Sequence, residues 1–217
     1  MQTPMMYELR KPKQVEPGKT YPAVFLMHGM GSNEQDLLSL TGGLENSCYI
    51  FSIRGHLTQP PGYAFFTIEG FGRPHRSVFD DAVKRITNFI DYACDKYPID
   101  RSQLYLLGFS QGAILSMTLG LTLGDHIKGI VALSGYIPEF VKNEYSIQSV
   151  KQLSIFISHG EFDQVLPFEW GKANDEYFKQ LGANVAFHAY PEGHTVSQQN
   201  YQDFMQWLHH ELGNKEE

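Results

Sequence analysis

Cysteine is scarce in this chain of 217 residues: only Cys48 and Cys94 occur, far apart and each in apolar surroundings. Neither has redox or metal-ligand spacing, so buried free thiols in a reducing compartment are expected and no metal site is read from them. Positive charge is scarce as well. Lys and Arg number 17 against 24 Asp and Glu, a formal net charge of −7, and no Lys/Arg run forms a basic patch. That argues against a nucleic-acid partner. No apolar stretch approaches the roughly 18 residues that cross a bilayer, and residues 1–13 hold no apolar core of signal-peptide length. A cytoplasmic protein without stable membrane insertion is expected. Repeats, linkers and low-complexity segments are lacking too, so the length reads as one domain over 1–217 with a short N-terminal extension at 1–20.

What the chain does have is a regular alternation. Short apolar runs occur at 23–27, 49–53, 104–107, 129–133, 154–158 and 185–190. Runs without polar alternation suit strands covered on both faces, as in a mostly parallel sheet. Helical spacing lies between them. Val78, Ala82, Val83, Ile86, Phe89, Ile90 and Ala93 recur at that period, as do Tyr201, Phe204, Met205 and Leu208. A weaker helix at 168–181 is stopped by Gly182. The expected fold class is α/β, a single domain with helices on both faces of a central, mostly parallel sheet.

The run at 104–107 leads into Gly108-Phe109-Ser110-Gln111-Gly112, and a helical pattern starts at Ala113. A serine between two glycines at a strand-to-helix turn is the pattern of a nucleophile elbow. Side chains at the glycine positions would collide with neighbouring backbone. The sharp turn pushes the serine hydroxyl clear of the sheet, above a helix N-terminus whose partial positive charge favours a developing oxyanion.

A serine hydroxyl needs a base, and the base needs an acid that holds its tautomer. In the α/β-hydrolase fold the chain order is Ser, acid, His, each on a loop at the carboxyl end of a strand. Asp163 follows the strand pattern at 154–158, and His194 follows that at 185–190. Glu161 is an alternative acid. His159 is the rival histidine, but it precedes Asp163 and is read as packing beside the acid loop. An oxyanion hole needs two backbone N–H groups: one from Gln111, after the nucleophile, and one from Met30 in His28-Gly29-Met30-Gly31-Ser32-Asn33. Ser32 and Gln35 also resemble a capping box that starts a helix.

Tyr63, Phe65, Phe66 and Phe71 lie in a glycine-rich segment, 62–72, that follows the strand pattern at 49–53. They are expected to line an apolar substrate pocket, together with Val165, unless the segment folds onto its own small core. Arg73 and Arg76 are candidate partners for an acidic substrate group. The insertion 136–150 is expected to flank the site. Neither segment is long enough for a separate lid domain.

His28-Gly29-Met30-Gly31, Gly108-Phe109-Ser110-Gln111-Gly112, Leu133-Ser134-Gly135, His159-Gly160 with Asp163 and Pro167, and Gly193-His194 resemble the phospholipase/carboxylesterase family over roughly residues 20–212. That family includes bacterial carboxylesterases and acyl-protein thioesterases. The resemblance implies a serine hydrolase of the α/β-hydrolase fold that acts on ester or thioester bonds without metal or organic cofactor. It places catalysis on Ser110, Asp163 and His194, with Met30 and Gln111 as oxyanion donors. The chain departs from thioesterase members at Gly112-Ala113, where they carry a double glycine, and at 62–72, where their loop contains tryptophan. The expected activity is that of a carboxylesterase on small or short-to-medium esters. The alternatives are a lysophospholipase or acyl-protein thioesterase, and a non-catalytic scaffold that binds a small ligand. A homodimer is the assembly that an apolar surface face would allow.

Overall fold

The computed structural model describes residues 5–44 and 47–213; residues 1–4, 45–46 and 214–217 of the expected domain lie outside the described set. In chain order the strands are β1 (Tyr7–Arg10), β2 (Tyr21–Met27), β3 (Tyr49–Ile53), β4 (Leu57–Gln59), β5 (Gly62–Ala64), β6 (Ile68–Gly70), β7 (Arg73–Pro74), β8 (Ile99–Phe109), β9 (Gly129–Leu133), β10 (Ser154–Gly160) and β11 (Asn184–Tyr190). The α-helices are α1 (Arg76–Lys96), α2 (Gln111–Leu123), α3 (Glu139–Glu144), α4 (Phe168–Gln180) and α5 (Gln198–Glu211). The main sheet runs β1-β3-β2-β8-β9-β10-β11. All of its pairings are parallel except β1 with β3. The apolar runs predict this mostly parallel sheet, and the α/β-hydrolase form of it is what the family resemblance implies.

Alternation along the central strands divides the core into two layers. Ala23, Phe25 and Met27 of β2, Leu104 and Leu106 of β8, and Ile155 and Ile157 of β10 pack with residues of α1, α2 and α4. Val24, Leu26, Tyr105, Leu107 and Phe156, one position out of phase, pack with Phe204, Met205 and Leu208 of α5. With both faces covered, both phases must be apolar, which is why these strands read as continuous runs. Helix α2 is buried from Gln111 to Leu121. No amphipathic stripe marks it, because it lies between the sheet and α1 rather than at the surface.

The structure departs from the sequence expectation at three places. The segment expected as an N-terminal extension supplies β1, whose Tyr7 and Leu9 lie partly buried against the core. An edge strand of four residues covered on one face offers too short a pattern to read. The segment 54–75 holds two small hairpins, β4 with β5 and β6 with β7. The Ser32–Gln35 capping box does not form. Ser32 Oγ donates to Asp36 Oδ2 at 2.7 Å, Asn33 Oδ1 accepts the Gln35 N–H at 2.8 Å, and only a 3₁₀ turn at Leu37–Leu40 follows.

Candidate active site

Because β2, β3, β8, β9, β10 and β11 run parallel, their carboxyl ends converge on one edge of the sheet, where α/β proteins bind ligands. Ser110 joins β8 to α2 with φ 53°. That left-handed conformation is strained in a residue with a Cβ. Two contacts hold it: its N–H donates to Leu133 O at 2.9 Å, and its carbonyl accepts the Ile114 N–H at 3.1 Å. The flanking glycines are required by contact. A Cβ on Gly108 would lie 2.2 Å from the Gly112 carbonyl, and one on Gly112 would lie 1.8 Å from the Met27 carbonyl oxygen.

Ser110, His194 and Asp163, from three separate loops, form one hydrogen-bonded chain. His194 Nε2 lies 2.9 Å from Ser110 Oγ, and His194 Nδ1 lies 2.7 Å from Asp163 Oδ2. Phe109 packs its ring 4.9 Å from the His194 ring. The second carboxylate oxygen, Asp163 Oδ1, accepts the N–H groups of Val165 at 2.8 Å and Leu166 at 2.9 Å. Burial on its own would raise the Asp163 carboxyl, but the His194 hydrogen bond and these two backbone donors outweigh it and hold the group below the usual carboxylate range. With Asp163 Oδ2 accepting from Nδ1–H, Nε2 is the ring atom turned toward the Ser110 hydroxyl.

Glu161, the alternative acid, is exposed, and the hydrogen bond to His194 comes from Asp163. His159 is fully buried beneath the acid loop. Its Nε2–H donates to Leu166 O at 2.9 Å and lies 3.4 Å from Asp163 Oδ2. Burial lowers its pKa, so it stays neutral and supports the loop that presents Asp163.

The loop after β2 lies against the elbow: a Cβ on Gly29 would be 3.2 Å from the Phe109 ring and 3.5 Å from Ser110 Cβ. His28 is buried, with its pKa lowered by burial. Its neutral ring bridges two segments, Nδ1–H donating to Gly29 O at 2.7 Å and Nε2 accepting the Gly55 N–H at 3.0 Å. Met30 follows, and Gly31 donates its N–H to Tyr63 O at 2.8 Å. The other expected donor, the N–H of Gln111, lies in the first turn of α2, where no carbonyl of its own helix reaches it. The Gln111 side chain has a separate task. Its Oε1 accepts the Phe65 N–H at 2.8 Å and its Nε2 donates to Phe66 O at 2.6 Å, tying the aromatic segment to the elbow.

Beside Ser110 opens a cleft of about 90 Å³ lined by Phe66, Ile68, Phe71, Ile114, Tyr136 and Val165, with Met30, Gln111 and Leu166 completing its wall. Of the five residues expected at a substrate pocket, Phe66, Phe71 and Val165 line this cleft. Tyr63 and Phe65 do not line it. Phe65 is fully buried with its ring 4.8 Å from that of His28, and Tyr63 lies under the Arg54 guanidinium at 4.5 Å. Phe65 thus joins the main core under the sheet, and Tyr63 stays half-buried against Arg54. Arg76 is unavailable to substrate: it pairs with Asp80 and Glu144 and lies over the Phe140 ring. Ile68, Ile114 and Leu166 were not foreseen, because each looks in the sequence like an ordinary core position. Tyr136 opens the flanking insertion and also lines a second chamber of about 250 Å³ with Ile137, Lys142, Trp170 and Ala173.

A family model described as Phospholipase/Carboxylesterase matches residues 13–212. The chain belongs to the phospholipase/carboxylesterase family. Among relatives, the acyl-protein thioesterase 1 of Candida albicans is 33% identical over 158 residues, 67% of this chain and 67% of its own length. The MhqD protein of Bacillus subtilis is 24% identical over 197 residues, 88% of this chain and 94% of its own. Among solved structures, the Bacillus cereus carboxylesterase superposes with a TM-score of 0.85 at 24% identity, covering 95% of this chain and 94% of that one. Membership makes this phospholipase/carboxylesterase relative a hydrolase of the carboxylesterase and acyl-protein thioesterase group. The five motif segments read from the sequence all fall inside the matched span.

Proposed function

We propose that this protein is a serine carboxylesterase that cleaves small or short-to-medium esters through an acyl intermediate on Ser110. The observation that carries the reading is the unbroken hydrogen-bonded chain from Ser110 through His194 to Asp163, opening on an uncharged cleft. Ser110 Oγ attacks the ester carbonyl carbon while its proton passes to His194 Nε2. The ionised Asp163 stabilises the resulting imidazolium. The N–H groups of Met30 and Gln111 receive the oxyanion. The tetrahedral adduct collapses as His194 returns the proton to the departing alkoxide, which leaves as alcohol. Water then attacks the acyl-Ser110 carbonyl with His194 as base, and collapse releases the carboxylic acid and restores the Ser110 hydroxyl.

Size favours short acyl groups, since a cleft of about 90 Å³ falls below the roughly 300–1,000 Å³ of drug-sized pockets. The test is hydrolysis of p-nitrophenyl esters from acetate to palmitate, with Ser110→Ala as the control. Short-chain cleavage that is lost in the variant supports the reading. Turnover that survives Ser110→Ala overturns it. The thioesterase reading draws on the 33% identity to the Candida albicans acyl-protein thioesterase 1. A higher kcat/KM for matched acyl thioesters than for oxygen esters would favour it.

A further inference from the structure

The oxyanion loop is held by a device outside the Ser110–His194–Asp163 chain. Glu34, six residues beyond His28, is 6% exposed. Both of its carboxylate oxygens accept from one guanidinium: Arg54 Nε donates to Oε2 at 2.6 Å and Nη2 to Oε1. Arg54 directly follows β3 and is 28% exposed, and its guanidinium lies 4.5 Å from the centroid of the Tyr63 ring. Tyr63 in turn grips the loop with its backbone. It accepts the Gly31 N–H at 2.8 Å and donates its own N–H to Ser32 O at 2.7 Å. Gly62 permits this approach, since a Cβ there would lie 2.3 Å from Ser32 O. On the other side of Met30, the His28 ring connects Gly29 O to the Gly55 N–H. Residues 54–63 therefore tether the loop both before and after Met30, and Arg54 connects the later tether to Glu34. A two-pronged guanidinium–carboxylate pair fixes orientation as well as distance, which a lysine point charge would not.

We propose that Glu34, Arg54 and Tyr63 form a positioning clamp that sets the Met30 N–H in the oxyanion hole, acting on the rates of both steps that pass through an oxyanion, acylation and deacylation, rather than on substrate affinity. The inference rests on the esterase reading above. None of the three residues touches the reacting atoms. Their effect passes through the loop backbone, so loss of the clamp lowers kcat and leaves KM nearly unchanged, the signature of an interaction that matters in the transition state.

The test compares Arg54→Lys with the double variant Glu34→Met/Arg54→Met. Arg54→Met alone leaves a buried, unpaired Glu34 and is prone to unfolding, whereas the double variant removes both charges together. Expected for the double variant is a fall in kcat on p-nitrophenyl acetate of about tenfold or more, with KM held within about twofold. Affinity for a trifluoromethyl ketone, whose hemiketal oxygen occupies the oxyanion position, should fall in parallel, while the pH profile keeps its position because His194 and Asp163 are untouched. Arg54→Lys should fall between parent and double variant. A folded double variant with parent kcat, or one that loses kcat without losing trifluoromethyl ketone affinity, overturns the clamp. If the parent shows no Ser110-dependent turnover, the esterase reading fails separately. Amide hydrogen exchange at 29–33 then decides: faster exchange in the double variant supports the clamp, and unchanged exchange overturns it.

Discussion

Two segments at the carboxyl edge of the sheet face each other across the cleft, and they obey different rules. In the elbow, Gly108–Gly112, the constraint is backbone against backbone: an added Cβ would strike a main-chain carbonyl at 2.2 Å or less at either glycine. The segment 54–75 has such backbone contacts too, at Gly55 and Gly62, but what shapes its part of the cleft is where its side chains point. Phe65 and Phe66 are adjacent and almost fully buried, yet one packs on His28 and the other walls the cleft. Phe71 is 62% exposed at the cleft mouth. A backbone clash leaves one residue type possible, whether the carbonyl it meets is in the same turn, as Gly112's is for Gly108, or in another strand, as Met27's is for Gly112. Side-chain direction depends on hairpin register and on partners distant in sequence.

The sharpest way to break the comparison is at the elbow. Ser110→Ala should lower turnover by about 10⁴-fold or more without moving the thermal midpoint, since the hydroxyl contributes chemistry rather than packing. Substantial residual turnover in clean protein would remove Ser110 from the mechanism. Gly112→Ala sharpens the same point through stability. A glycine-to-alanine change inside a helix ordinarily stabilises by up to about 1 kcal/mol. Here the Cβ would sit 1.8 Å from the Met27 carbonyl oxygen, so a loss of about 3 kcal/mol or more is expected in denaturant unfolding.

The aromatic segment should split where the elbow does not. Phe65→Ala, at a fully buried site, is expected to cost about 3–5 kcal/mol of stability. Phe71→Ala, at the exposed cleft mouth, should change stability by no more than about 0.5 kcal/mol. Its effect should appear in KM for the longer esters. Equal stability losses at both positions would refute the division between core and cleft.

The smallest effect on stability is the one that depends on pH. The Asp163 carboxyl is depressed in the folded chain, so its contribution to stability is full above the ordinary carboxylate range and is lost as pH falls through the depressed value. Asp163→Asn should flatten the acid limb of a plot of thermal midpoint against pH, besides reducing turnover by about 10³-fold or more through the wrong His194 tautomer. A mild loss of turnover would return Glu161 to consideration as the acid.

Much of this was legible in the residues. The six apolar runs all became strands, because burial on both faces forces both side-chain phases to be apolar. Chain order and position at strand ends separated His194 from His159 and the other histidines and placed Ser110, while the acid was open between Asp163 and Glu161; the structure brings Ser110, His194 and Asp163 into hydrogen-bond contact. Strand β1 was not legible, since a four-residue edge strand exposes one phase. Nor were Ile68, Ile114 and Leu166 as cleft wall, or Glu34 and Arg54 as partners, for nothing in the local sequence of a glutamate or an arginine names a partner 20 residues away.

The sequence by itself determined the order of the six parallel strands, the glycines that flank Ser110, and the loop that carries each member of the Ser110–His194–Asp163 chain. These follow from the alternation of apolar runs with helical patterns and from parallel pairing, which sends the carboxyl ends of those six strands to one edge. Tertiary structure alone decided which aromatic residues enter the core and which face the cleft. It also decided the cleft volume and the pairing of Glu34 with Arg54. Those outcomes depend on which surfaces meet when hairpin, elbow and oxyanion loop pack together, and no stretch of chain carries that information on its own.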